Sequence, residues 1–292
     1  MFESQYDTHR VPYDGSFRVA DTPTTPPPGT DADFKRRLKK ATKELDAMQR
    51  VLMARDRHSV LLVFQAMDAA GKDSTIRAVM QGINPAGCQV FRFRKPTEKE
   101  YDHDFLWRTS ICLPERGRIG IFNRSQYEEV LVVRVHPQFL EAQRLPKSLV
   151  SENIWEERLD SIRAQEKHLA RNGTIILKFW LNVSLDEQKR RFLSRLDDPK
   201  KNWKFQAADV EERQHWVKYM RAYEEALNAT SAPWAPWYAI PADNKRYMRA
   251  AVAETVVAAL RQYELQYPVA TEEDRETFAA ARQLLNHPPA KS

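Results

Sequence analysis

The sequence predicts an α/β fold, a parallel sheet flanked by helices, and three observations carry that prediction. Val60-Leu61-Leu62-Val63-Phe64 is an uninterrupted apolar run of strand length, the pattern of a central strand buried on both faces. Other short apolar runs recur along the chain, separated by stretches of helical periodicity, and such alternation builds a parallel sheet covered by helices on both sides. The first run ends in a loop of small residues closing on Gly71-Lys72, and helix-forming sequence follows at once.

Taken in order, residues 1–32 hold Pro12, Pro23, Pro26, Pro27 and Pro28 among Thr, Asp and Gly, which favours extended chain and reads as an N-terminal arm. Between Asp33 and Arg57, Phe34, Leu38, Ala41, Leu45, Met48, Leu52 and Met53 recur at helical spacing among Lys and Arg, an amphipathic helix leading into the core. Ser59–Gln65 is the first strand, and Gln89–Phe93, Arg118–Phe122, Thr174–Phe179 and Tyr238–Pro241 are the others. Helices are expected at roughly 73–81, 98–111, 126–135, 152–171, 185–196, 209–228 and 244–264. Arg195 to Asp209, charged and broken by Pro199, reads as an exposed excursion within a candidate lid at about 185–228. The main domain is expected over 33–266, with 267–292 as a C-terminal tail.

A chain of 292 residues with 42% hydrophobic and 10% aromatic content supports a sizeable core. No apolar run approaches the roughly 20 residues of a membrane span, and the first residues lack the basic-then-apolar pattern of a secretory signal. A cytoplasmic protein is the expectation. Cys88 and Cys112 cannot staple a chain of this size and are expected as buried free thiols. The formal charge of +6 suits polyanionic partners, whether nucleic acid, membrane surface or phosphate chains, without choosing among them.

The chemistry concentrates in three places. The first is the loop Ala66-Met67-Asp68-Ala69-Ala70-Gly71-Lys72-Asp73-Ser74-Thr75. Backbone N–H groups at a helix N-terminus face an anion there, and Lys72 adds a mobile charge. It departs twice from the generic phosphate loop, with Ala66 in place of the first glycine and Asp73 in place of the magnesium-binding hydroxyl. An ordinary strand-to-helix turn therefore stays open. Asp68, however, would repel phosphate unless it held a cation or oriented an acceptor, which hints at Mg²⁺ bridging.

The second place follows the strand Arg118–Phe122, where Asn123 is a neutral ligand or hydrogen-bond partner and Arg124 is suited to stabilise a transferring phosphoryl group. Ser125 caps the next helix and Glu128 and Glu129 complement its dipole on the plainer alternative. The third supplies positive charge: Lys189, Arg190, Arg191, Arg195, Lys200, Lys201 and Lys204 in one stretch, and Arg92, Arg94 and Lys95 near a strand end. Facing a phosphate loop, the two clusters would form a channel for a long polyanion, drawn here through Arg92, Arg94, Lys95, Lys201 and Lys204.

Together these motifs resemble the polyphosphate kinase 2 family, and within it class III. The matching elements are Gln65-Ala-Met-Asp-Ala-Ala-Gly-Lys-Asp-Ser-Thr-Ile76, Asn84-Pro-Ala-Gly87, Pro96-Thr-Glu98 and Phe122-Asn-Arg-Ser-Gln-Tyr-Glu-Glu-Val-Leu-Val-Val-Arg-Val135. They continue in Leu177-Lys-Phe-Trp-Leu181, Glu187-Gln188, Arg195-Leu-Asp-Asp-Pro199, Trp203-Lys-Phe205 and Ala235-Pro-Trp-Tyr-Ala-Ile-Pro241. The resemblance implies a thymidylate-kinase-like P-loop kinase fold with a helical lid, inorganic polyphosphate as donor and Mg²⁺ as cofactor. It further implies AMP, ADP and ATP as nucleotides, guanine nucleotides being left open, no nucleic-acid or membrane partner, and a dimer or larger homo-oligomer on which the arm packs against a neighbour.

By the same resemblance Asp68 and Lys72 match the family's essential loop residues, with Asp68 the implied metal ligand, Arg124 the arginine of the second motif and Arg195 the lid arginine. Other branches carry aspartate at Asn123 and asparagine at Glu128; the form found here goes with enzymes that accept both AMP and ADP, so these two positions are the expected selectivity residues. The stretch 136–150 is longer than the family pattern. Two rivals remain at this stage, an ATP-dependent nucleotide kinase of the same fold and a non-catalytic polyanion-binding protein.

Overall fold

In a computed structural model, which describes residues 8–263 and 265–286, the predicted alternation becomes a single layered α/β unit. Helix α1, Asp31–Arg55, starts where the Thr30 hydroxyl accepts the Asp33 N–H, and it lays Phe34, Ala41, Leu45 and Leu52 on the core. Strand β1, Ser59–Gln65, is buried at every position, as its unbroken apolar sequence requires. There follow α2 (Lys72–Val79), β2 (Cys88–Arg92), α3 (Glu98–Tyr101), α4 (Trp107–Ser110), β3 (Ile119–Asn123), α5 (Glu128–Val135), α6 (Phe139–Ala142) and α7 (Ile154–Arg171). The chain continues through β4 (Thr174–Asn182), α8 (Leu185–Asp197), α9 (Ala207–Glu212), α10 (Trp216–Thr230), β5 (Trp237–Pro241), α11 (Lys245–Arg261) and α12 (Glu272–Asn286).

The five strands pair in the order β2-β3-β1-β4-β5, all parallel. From β1 the chain crosses to the β2 edge, whereas from β3 it passes over β1 to β4. The crevice at the carboxyl ends of β1 and β3 is where such a sheet binds ligands. Register brings the two sequence motifs together there: Phe64 pairs with Asn123, and the Arg124 N–H donates to the Phe64 carbonyl at 3.1 Å. Helix α11 is apolar on most sides because it lies between α1 and the sheet.

Several expectations are revised. The stretch 98–111 is two short helices: a capping box between Thr97 and Glu100 starts α3, and Asp102-His103-Asp104 breaks the run before α4. The stretch 209–228 is likewise divided, by a tight turn at Arg213–His215, and the tail carries the amphipathic α12. Cys88 and Cys112 are free, as expected, but only half-buried, Cys88 because it lies on the edge strand β2.

The described part of the arm packs on its own chain. Val11 and Phe17 are buried, Val11 N–H donates to Trp237 O, and the Ala239 N–H donates to His9 O, so the arm adds a short antiparallel contact to the free side of β5. Residues 136–150 are fastened to the body through Gln143, which donates to Glu129 and accepts from Arg158, and through Leu140 beside Val133 and Ile154. Among the described residues no helix is long and apolar enough to cross a membrane.

Candidate active site

The loop after β1 turns on Gly71, whose φ of +108° is left-handed; an added Cβ would be strained there and would meet the Met248 methyl at 3.3 Å. Ala69 and Arg124 also hold positive φ, 61° and 66°, a conformation that costs a non-glycine residue about 1 kcal/mol or more. Both strained residues sit at the mouth of the crevice.

Lys72, the first residue of α2, is buried and donates to the Ala66 carbonyl at 2.6 Å. Burial and the nearby Arg124 guanidinium pull its pKa down to about 8, against the opposing pull of Asp68, Glu128 and Asp73. Those carboxylates are already engaged. Arg124 forks between them, Nη2 on Asp68 at 3.0 Å and Nη1 on Glu128 at 3.2 Å, and Glu128 first, then Asp68, hold the guanidinium firmly charged. The Asn123 amide donates to Asp73. Asp68, Lys72, Asp73, Asn123, Arg124 and Glu128 thus form one cluster. Ser74 closes the first turn of α2 by donating to the Gly71 carbonyl at 3.0 Å, while Ala70 is fully buried beneath the loop.

From the other side the loop is clamped by residues of α8. Arg191, buried, donates to the carbonyls of Ala69 at 3.1 Å, Ala70 at 2.5 Å and Ala242 at 2.6 Å; Glu187 holds its Nε at 2.7 Å. Gln188 donates to the Asp68 carbonyl at 2.9 Å. In sequence Arg191 was one cation in a basic run. Its only mark was Glu187 four residues earlier, the spacing of a helical ion pair.

Arg195, one turn further, pairs with Asp209 of α9 at 3.3 Å. Burial, then the charge on Asp68, raises the Asp209 pKa, with Arg195, Arg124 and Lys72 pulling the other way, so α9 faces the cluster. Nothing in the local sequence singled out Asp209. Arg92, the last residue of β2, and Arg94 and Lys95 just beyond it lie exposed, and Arg94 lends its carbonyl to Arg108; Lys201 pairs with Asp198 at 2.8 Å, and Lys204 covers the exposed Trp203 ring.

A different set of cations adjoins the loop. Ser74, Arg77, Ala78, Gln81 and Arg249 line a cavity of about 400 Å³, and the Arg249 Nε is buried there with no hydrogen-bond partner among the described residues. Partial burial, then Arg77, Arg191 and Arg246, lowers the Arg249 pKa, and burial with Arg191 pulls neighbouring Lys245 to about 8. Positive charge is in excess here, the condition an anion relieves.

A glycine-lysine loop between the central parallel strand and a helix, facing an arginine at the end of the adjacent strand, defines a P-loop kinase. The profile of the polyphosphate kinase 2 family matches residues 29–268, and the chain belongs to that family. It is 52% identical over 249 residues to an ADP-polyphosphate phosphotransferase of Rhodopseudomonas palustris, covering 85% of this chain and 86% of that one. An AMP/ADP-polyphosphate phosphotransferase of Meiothermus ruber is 46% identical over 226 residues, covering 77% and 80%. The crystal structure of polyphosphate kinase 2 from Arthrobacter aurescens TC1 superposes with a TM-score of 0.87 at 36% identity, covering 98% of both chains.

Proposed function

We propose that this enzyme transfers the terminal phosphoryl group of inorganic polyphosphate to AMP or ADP, giving ADP or ATP, reversibly and with Mg²⁺. The observation that carries the reading is Arg124, charged and forked between Asp68 and Glu128 beside Lys72, which forms no ion pair among the described residues. Phosphates entering the crevice exchange the Ala66 carbonyl for their own oxygens at Lys72, and the N–H groups at the start of α2 add further donors.

The acceptor oxygen is a phosphate oxygen, already anionic, so no general base is required. It attacks the terminal phosphorus in line, the bond to the next phosphate breaks, and the shortened chain leaves. The chain's own residues then act by position and charge: Asp68 and Glu128 aim Arg124 at the transferring group, and Arg195 approaches from the lid region formed by α8 to α10. Asn123 holds Asp73 in place.

Among the described residues no group of three or more His, Cys, Asp or Glu side chains is placed to hold a metal ion. Two carboxylates, Asp68 and Asp73, completed by phosphate oxygens and water, nevertheless suit Mg²⁺, which is seldom caged by protein alone. Asp68 and Asp73 would hold it. The chemistry it would supply when bound is neutralisation of charge on the phosphates.

For the donor we favour the cavity of Ser74, Arg77 and Arg249 over the channel expected through Arg92, Arg94, Lys95, Lys201 and Lys204. The cavity adjoins the loop, and among the described residues no carboxylate forms an ion pair with its cations Arg77 and Arg249. The deciding experiment incubates the protein with AMP or ADP, Mg²⁺ and either polyphosphate or a nucleoside triphosphate. ATP formed from polyphosphate and ADP supports the reading. Turnover only with a triphosphate donor points to an ordinary nucleotide kinase, and no turnover with any donor to a binding protein.

A further inference from the structure

The short helix α9 joins two places far apart in the sequence. At one end Asp209 holds Arg195 and faces Asp68, Arg124 and Lys72. At the other, three residues on and on the same helical face, the Glu212 carboxylate accepts the His136 Nε2–H at 3.0 Å and the Tyr219 hydroxyl at 2.8 Å. His136 closes α5, where the long 136–150 stretch begins, and its side chain is only 13% exposed, edge-on to His215 at 4.8 Å between ring centroids. Arg213 ties the following turn back to α8 through Gln188 at 2.6 Å and the Leu185 carbonyl at 3.1 Å. That contact lies within the lid region; the one from His136 runs to the body.

We infer that His136 is a positioning residue for phosphoryl transfer: through Glu212 it fixes the attitude of α9, and so the distance at which Asp209 presents Arg195 to the phosphate cluster. A six-residue helix has little core of its own, with no buried residue, so its placement depends on such tethers. The effect belongs to the transfer step, because the side-chain partners of His136 among the described residues are Glu212, Phe139, His215 and Tyr219, which lie outside the phosphate cluster; what it moves is the clamp. The inference rests on the reading of the Lys72 loop as the transfer site.

The test measures ADP phosphorylation at saturating polyphosphate for His136→Ala, His136→Gln and Asp209→Ala, and for His136→Ala combined with Asp209→Ala. His136→Ala is expected to lower kcat about tenfold with the KM for ADP within about twofold, as misplacement of a clamp does. His136→Gln, which keeps an N–H donor near the Nε2 position, recovers most of the loss. In the Asp209→Ala background the same His136 change costs less than about twofold further, because both act through one element.

Wild-type kcat in His136→Ala, or an equal tenfold fall in both backgrounds, overturns the inference. Should melting show His136→Ala to be unfolded, Glu212→Ala removes the same bond from the other side, with the same two outcomes. Full activity of Lys72→Met would instead overturn the site reading, whatever His136 does.

Discussion

Lys72, at the start of α2, and Lys178, in β4, are both buried lysines, and burial lowers the pKa of each. Their surroundings differ. Lys178, in β4, spends its three donors on Glu166 at 2.5 Å, the Tyr127 hydroxyl at 2.9 Å and the Thr230 carbonyl at 2.8 Å, while Tyr127 also donates to Glu166 at 2.8 Å. Lys72 donates to the Ala66 carbonyl, and the carboxylates around it are bound to Arg124 and Asn123. A buried cation whose counter-charge is built in holds the fold; one whose counter-charge must arrive from solution binds a ligand.

The comparison breaks most sharply by substitution. Lys72→Met is expected to lower the transfer rate by about 10³-fold or more, an effect of roughly 4 kcal/mol, while the melting temperature stays level or rises because an incompletely paired charge leaves the interior. Retained activity would remove Lys72 from the chemistry. Lys178→Met is expected to do the reverse, costing about 3–5 kcal/mol of stability by stranding Glu166, and adding Glu166→Leu should restore much of it. Chemical denaturation of the single and double variants reads this directly.

The same lysine gives two pH responses of opposite sign. Its folded pKa of about 8 lies below its ordinary value of 10.5, so between these the unfolded chain binds more protons and ligand-free stability rises with pH. Relative to Lys72→Met, that rise is expected to be ~1–3 kcal/mol. Over the same window the ammonium is lost and the KM for polyphosphate should climb. Denaturation and kinetics from pH 7 to 10 check both, and a flat donor KM contradicts the role assigned to Lys72.

Smaller effects sharpen where the missing counter-charge lies. Arg249→Ala should raise the KM for long polyphosphate about five- to tenfold and leave the KM for ADP unchanged. An equal effect from Lys204→Ala would restore the other channel. Glu128→Asn, which frees one arm of Arg124, should shift the AMP-to-ADP preference about threefold or more toward ADP, measured as a ratio of kcat/KM values. An unchanged ratio would confine Glu128 to holding the arginine.

The strands and the phosphate loop were legible because their signals are local: an unbroken apolar run from Val60 to Phe64, a glycine at the turn, a lysine beside it. Asp68, Lys72, Asn123, Arg124 and Glu128 stand out by their place in motifs, and parallel register explains why two motifs 50 residues apart share a crevice. Arg191, Asp209, Arg249 and His136 were not found, since each is ordinary in its own segment and acquires its surroundings through chain reversals. Arg191 illustrates this best: exposed Arg190 stands next to it, and only folding decides which points at the loop. The breaks at Asp102–Asp104 and Arg213–His215 were missed because helical periodicity continues across them. Helix α12 is legible in Phe278, Ala281 and Leu285, a helical stripe within the expected tail.

The contact between the arm and β5 bears on solubility. A parallel sheet ends in two rows of unsatisfied backbone groups, and such rows recruit other chains. At β5, residues 9–11 occupy that row, with Val11 and Phe17 sealing the apolar surface behind it. A version trimmed to the residues that match the family profile, beginning at 29, would lose this cover and present β5 bare. Such a truncation would keep every residue of the phosphate cluster and still be prone to aggregate.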